Sequence, residues 1–69
     1  MKSISGKQLC KLVESKGWQL KRVRGSHHIY AKAGADIILV IPVHSNRDLP
    51  VGTLKSLLKD AELTEADLD

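Results

Sequence analysis

The chain has 69 residues, 42% of them hydrophobic and 28% charged, with a formal net charge of +3; this suits one folded domain, 1–69, with a thin core and a shallow site, rather than a disordered chain or more than one domain. Cys10 is the only cysteine, which excludes an internal disulfide, a paired-cysteine redox motif and a zinc site built on several thiolates, and favours a reducing, cytoplasmic setting. The longest apolar stretch, Ile37 to Val43, is far shorter than a bilayer requires, and the N-terminus lacks the apolar core of a signal peptide, so neither membrane spanning nor secretion is expected.

Ser5-Gly6-Lys7-Gln8 has the form of a capping box, with Ile4 and Leu9 at staple positions. Leu9, Leu12 and Val13 then repeat on one helical face and Gly17 supplies a left-handed stop, which predicts a helix over Gly6 to Lys16. From Trp18 the period shortens to two and predicts a strand ending at the turn Arg24-Gly25-Ser26. A second strand, His27 to Lys32, alternates Ile29 and Ala31 against His28, Tyr30 and Lys32, so its two histidines point opposite ways. The first set is expected to pack inward, leaving His28, Tyr30 and Lys32 on the open face.

Ala33-Gly34-Ala35-Asp36 reads as a hairpin turn, and Ile37 to Ile41 is the unbroken β-branched run of a buried strand that Pro42 closes. Two short turns in succession favour an antiparallel meander, because a parallel crossover needs a dozen or more residues. The polar stretch Val43 to Leu49, with His44, Ser45, Asn46, Arg47 and Asp48, is a loop. Pro50 suits a first helical position, and Val51, Leu54, Leu57, Leu58 and Ala61 recur at helical spacing, predicting a second helix over Pro50 to Asp60. Thr64-Glu65-Ala66-Asp67 has the cap pattern of one last turn, expected to fray for want of apolar surface. The expected class is α+β: an α-β-β-β-α order with a three-stranded antiparallel sheet and both helices on one face.

Charge is polarised along the chain. Residues 1–32 hold eight cations against the single carboxylate of Glu14, whereas the rest hold three cations against seven carboxylates. A basic surface suited to phosphates follows, although a solvated lysine-rich helix has the same composition. The element order, with basic residues on the first helix and around the first hairpin, is also that of a double-stranded RNA-binding domain, a likeness of fold alone.

A sharper likeness is local. Gly17-Trp18, then Lys21-Arg22-Val23-Arg24-Gly25-Ser26-His27-His28-Ile29-Tyr30, and later Pro42-Val43-His44 with Leu49, Gly52-Thr53-Leu54 and Leu57-Leu58, resemble the HicA family of toxin mRNA interferases over nearly the whole chain. In that family a Gly-Ser-x-His element at the start of the second strand carries the catalytic histidine, so the resemblance assigns that role to His28. It also implies ribosome-independent mRNA cleavage, a double-stranded-RNA-binding-like fold, growth arrest, and neutralisation by a HicB-type antitoxin.

Lys21, Arg22, Arg24 and Lys32, clustered around the hairpin, are the expected RNA phosphate contacts, together with Ser26 and Tyr30. Tyr30 either stacks on a base or is an exposed cross-strand partner, and Trp18 is assigned to the core. His27, on the side of Ile29, reads as a packing residue; His44 either orders its loop or touches RNA. No metal or other cofactor is expected, because adjacent strand histidines diverge and no His-x-x-x-His spacing or paired carboxylate cluster exists. The competing readings are a non-catalytic RNA-binding module and, third, a structural subunit whose basic face docks an acidic partner, which leaves Gly25-Ser26-His27-His28 without a purpose.

Overall fold

The computed structural model describes residues 3–68. Helix α1, Gly6–Ser15, begins at the capping box: the Gln8 backbone N–H donates to Ser5 Oγ at 3.1 Å, and the Ser5 N–H donates to Gln8 Oε1 at 2.9 Å. It stops at Gly17, whose φ of +100° is a conformation glycine adopts without a Cβ penalty. Strands β1 (Gln19–Arg24), β2 (His27–Ala31) and β3 (Leu39–Pro42) form an antiparallel sheet in the order β1-β2-β3. Helix α2, Val51–Asp60, follows Pro50, and the order is α-β-β-β-α as the sequence predicts.

The apolar stripes of α1 (Leu9, Cys10, Val13) and α2 (Leu54, Leu57, Leu58) join Trp18, Tyr30, Leu39 and Ile41 in one core. Directly paired residues on neighbouring strands point to the same side of a sheet, and the pairs are Tyr30 with Leu39 and His28 with Ile41. The helix-covered face of β2 is therefore the His28–Tyr30 face, and Ile29, opposite the exposed Val40, lies on the outer one. This reverses the expected facing of β2. The alternation is as anticipated, but Tyr30 goes inward because its hydroxyl finds a hydrogen-bond acceptor there, the Glu14 carboxylate of α1.

In β1 the register slips by one residue between Leu20 and Arg22, a bulge at Lys21. Arg22 and Arg24 pair with Ile29 and His27 on the outer face, while Leu20 and Val23 pair with Tyr30 and His28 on the inner one. All six β1 residues are nevertheless exposed, because the helices pack towards β3 and leave this edge uncovered.

Two further expectations are corrected. The run Ile37–Ile41 is not one buried strand: Ile37 and Ile38 are 45% and 57% exposed and precede β3, in which only Leu39 and Ile41 are buried. The last turn, expected to fray, is a 3-10 helix over Glu65–Leu68. Its start is held by the Asp67 carboxylate, with the Thr64 N–H donating to Asp67 Oδ2 at 2.8 Å, and Asp67 also pairs with Lys16 at 3.4 Å. Leu68 supplies the apolar surface that the acidic residues lack, at 8% exposure.

The segment leading into α1 is tied to the one leading into α2 by an antiparallel bridge of Ser5 with Asp48 and by the Leu49 N–H to Ile4 carbonyl bond at 2.8 Å. This draws Gly6 against the end of β3, where an added Cβ would lie 2.0 Å from the Pro42 carbonyl oxygen. Backbone on both sides leaves little room to relax. Gly6→Ala should therefore destabilise the fold by about 1–3 kcal/mol, the usual cost of overpacking. Gly52, a helical glycine where an added Cβ would have nothing within 4 Å, is the control: Gly52→Ala should be neutral or stabilising by up to about 1 kcal/mol. Thermal melts that rank the two variants the other way would show that α1 does not abut Pro42.

Candidate functional site

The site is built on the β1–β2 hairpin. Arg24 pairs with His27, so Gly25 and Ser26 alone turn the chain, and Gly25 meets the demand with a φ of +58°. The Ser26 carbonyl accepts from the Val43 N–H at 2.7 Å, which carries the β2–β3 ladder past the end of β3 and pins the turn to the segment before His44. His28, two residues further on, is half-buried between Val23 of β1 and Ile41 of β3. It sits at the margin of the core, where the uncovered β1 edge leaves it open to solvent on one side.

The expected RNA contacts are divided between the ends and faces of the sheet. Arg24 and Ser26 flank His28 at the hairpin end, and Arg22 and Arg24 share the outer face with His27. His28 therefore faces away from both arginines. Lys32 lies just beyond the far end of β2, about 13 Å along the strand from His28 at 3.3 Å per residue, and its Cε packs near Gly17. Lys21, at the bulge, donates to Gln19 Oε1 at 3.3 Å and shares a surface hollow with Lys32. The cations thus run along the hairpin rather than converging on His28.

Tyr30 needs the largest correction. Its ring is 1% exposed, so it is a core element and presents no face for a base to stack on. Burial, and then hydrogen bonding to Glu14, push its phenol far above the ordinary tyrosine range, so it holds its proton. Burial likewise raises the Cys10 thiol beside it. Trp18 is core, as expected.

The third histidine stands apart from the strands. His44 and Arg47 begin and end a tight turn closed by the Arg47 N–H to His44 carbonyl bond at 3.0 Å, with Ser45 in the left-handed region at φ +53°. Reading Val43 to Leu49 as a polar loop places both residues there without showing that one turn holds them together. Among the described residues, no three His, Cys, Asp or Glu side chains are grouped so as to hold a metal ion.

Residues 6–63, from the first turn of α1 to just past α2, match the family model of the HicA toxin of bacterial toxin-antitoxin pairs. The chain belongs to the HicA toxin family. The match takes in the hairpin, all three histidines and the two helices, and ends before the 3-10 helix. No curated protein sequence matches the chain. Membership makes this HicA protein the toxin half of a toxin-antitoxin pair and implies an antitoxin partner. No helix among its described residues is long and apolar enough to cross a membrane.

Proposed function

We propose that this HicA family member is a metal-independent endoribonuclease that cuts mRNA without the ribosome, acts in the cytoplasm, and uses His28 as its proton-transfer group. The observation that carries the reading is the setting of His28: an imidazole held half-buried between two strands, beside the Ser26 turn, within a span that matches the toxin family. A HicB-type antitoxin would silence it by covering that hairpin, with acidic side chains matched to Arg22 and Arg24.

Side chains alone suffice for RNA cleavage when the RNA supplies its own nucleophile. Neutral His28 takes the proton of a 2′-hydroxyl, and the 2′-oxygen attacks the adjacent phosphorus. The bond to the 5′-oxygen breaks, and that oxygen takes a proton from water, a lysine or the recycled His28. Tyr30 is no donor here, since its hydroxyl is buried and engaged by Glu14. Arg22 and Arg24 lie on the opposite face from His28, so a cation that offsets the charge growing on the phosphorane oxygens must reach round the hairpin end, where Arg24 is the last residue of β1.

The products should carry a 2′,3′-cyclic phosphate and a 5′-hydroxyl, and DNA of the same sequence should survive. End-group analysis of RNA cut by the purified protein in EDTA checks this; 5′-phosphate ends would point to a different nucleophile. The outer face, with Arg22, Arg24 and His27 but not His28, also suits RNA holding without catalysis. Salt-sensitive binding with no product would favour that second reading.

A further inference from the structure

A cavity of about 250 Å³ opens where β3 gives way to α2. Its walls include Pro42, His44, Arg47, Asp48, Pro50 and Thr53. It is smaller than the ~300–1,000 Å³ clefts that take drug-sized ligands, so its occupant is a small group or the projecting part of a larger molecule. Two of the walls are potential cations on one turn, with Cα atoms within about 7 Å of each other. Lys16 and Asp67 form the one ion pair among the described residues. Among the described residues the guanidinium of Arg47 thus has no carboxylate within ion-pair distance, even though Asp48 adjoins it in the chain and lines the same cavity.

The cavity is also tied to the proposed reaction centre. Pro42 is the cross-strand partner of His27, Ile41 that of His28, and the Val43 N–H is bonded to the Ser26 carbonyl. His44 is the next residue along. A chain of covalent and hydrogen bonds therefore places the Pro42 and His44 walls of the cavity at the same end of the sheet as Ser26 and His28.

We propose that this cavity is a phosphate subsite, in which Arg47 and His44 hold a phosphate of the RNA backbone adjacent to the one cleaved at His28, with the Thr53 hydroxyl as a neutral donor. The chemistry recognised is a phosphate oxygen. A fixed planar fork suits Arg47 to it, and His44 adds charge when protonated. Arg47 and His44 are positioning residues: they fix the register of the strand against His28 and transfer no proton in the reaction. The inference rests on the ribonuclease reading for its purpose, but its binding step does not depend on cleavage.

The test uses the full chain and two probes, inorganic phosphate and a 2′-O-methyl RNA oligonucleotide that lacks the nucleophile. Both side chains are exposed, so Arg47→Gln and His44→Ala should leave the melting temperature unchanged. Phosphate should move the ring resonances of His44 in the wild type and not in Arg47→Gln. The oligonucleotide should bind Arg47→Gln several-fold more weakly, with a salt dependence flatter by about 0.7 in the log–log slope, as for one lost single-strand contact. With cleavable RNA, both variants should raise KM more than they lower kcat. Wild-type oligonucleotide affinity and an unchanged salt slope in Arg47→Gln would overturn the subsite, as would a His44 ring that phosphate does not move. Loss of the ribonuclease reading looks different: no cleavage by the wild type, with the phosphate and oligonucleotide responses intact. A subsite that answers to inorganic phosphate but not to the oligonucleotide would mark the free anion as the ligand and overturn the RNA assignment.

Discussion

His28→Ala should cleave RNA on the order of 10²- to 10⁴-fold more slowly than the wild type, the range that a positioned proton-transfer group supplies. The loss should lie in kcat, with RNA affinity nearly kept, because the cations proposed to meet phosphates lie elsewhere on the hairpin. His28 is half-buried and outside the core cluster, so the variant should keep its fold and its circular dichroism spectrum. His27→Ala is the internal comparison. It removes the neighbouring imidazole from the outer face, beside Arg24, and should leave most of the activity. Wild-type rates in purified His28→Ala, or abolition by His27→Ala alone in a folded protein, would remove His28 from the mechanism.

Tyr30→Ala should have the largest effect on stability, about 3–5 kcal/mol as for other large aromatic truncations. Its ring is the bulkiest fully buried side chain and lies under α1. Tyr30→Phe separates packing from polarity. It keeps the ring and loses the bond to Glu14, whose exposed carboxylate rehydrates, so the cost should stay near 1 kcal/mol. The two proteins should also diverge at high pH. Burial and the Glu14 bond raise the folded-state phenol above its ordinary value. A raised folded pKa contributes stability that is fully present below about pH 10, the unfolded tyrosine value, and is lost as pH climbs beyond it. Denaturant midpoints of the wild type should accordingly fall between about pH 9.5 and 11, and those of Tyr30→Phe should fall less. Parallel curves would place Tyr30 in contact with water, and with it the open face first expected for this residue.

Tyr30 also shows where reading the sequence runs out. Local signals locate α1 and α2 nearly to the residue, because Ser5 and Gln8, Gly17 and Pro50 act within a few positions of themselves. The period-two pattern of β2 is equally local and holds. Which of its faces is buried is not local, since Ile29 with Ala31 and Tyr30 with its neighbours are both plausible inner sets. Glu14, sixteen residues away, and the pairing with Leu39 and Ile41 decide it. The same holds for Ile37 and Ile38, whose composition reads as buried strand although β3 starts after them, and for Leu68, whose contact with the core no cap pattern announces. The motif marks a candidate turn but not how the residues around it are arranged. Arg24, Ser26 and His28 lie at the same hairpin end with Arg24 and His28 on opposite faces, and the turn joining His44 to Arg47 becomes visible only in three dimensions.

The bulge at Lys21 gives the hairpin one adjustable joint. Elsewhere in β1, losing a residue would swap the two faces of everything beyond the cut, turning Arg22 and Arg24 towards the core or Val23 away from His28. At Lys21 the ladder already holds one residue more than its partner strand needs. Shortening the chain there restores a regular ladder with Arg22 still opposite Ile29 and Val23 still opposite His28, at the expense of local twist. The reach and coiling of the basic arm are thus free to vary in length without disturbing the strand that carries His28.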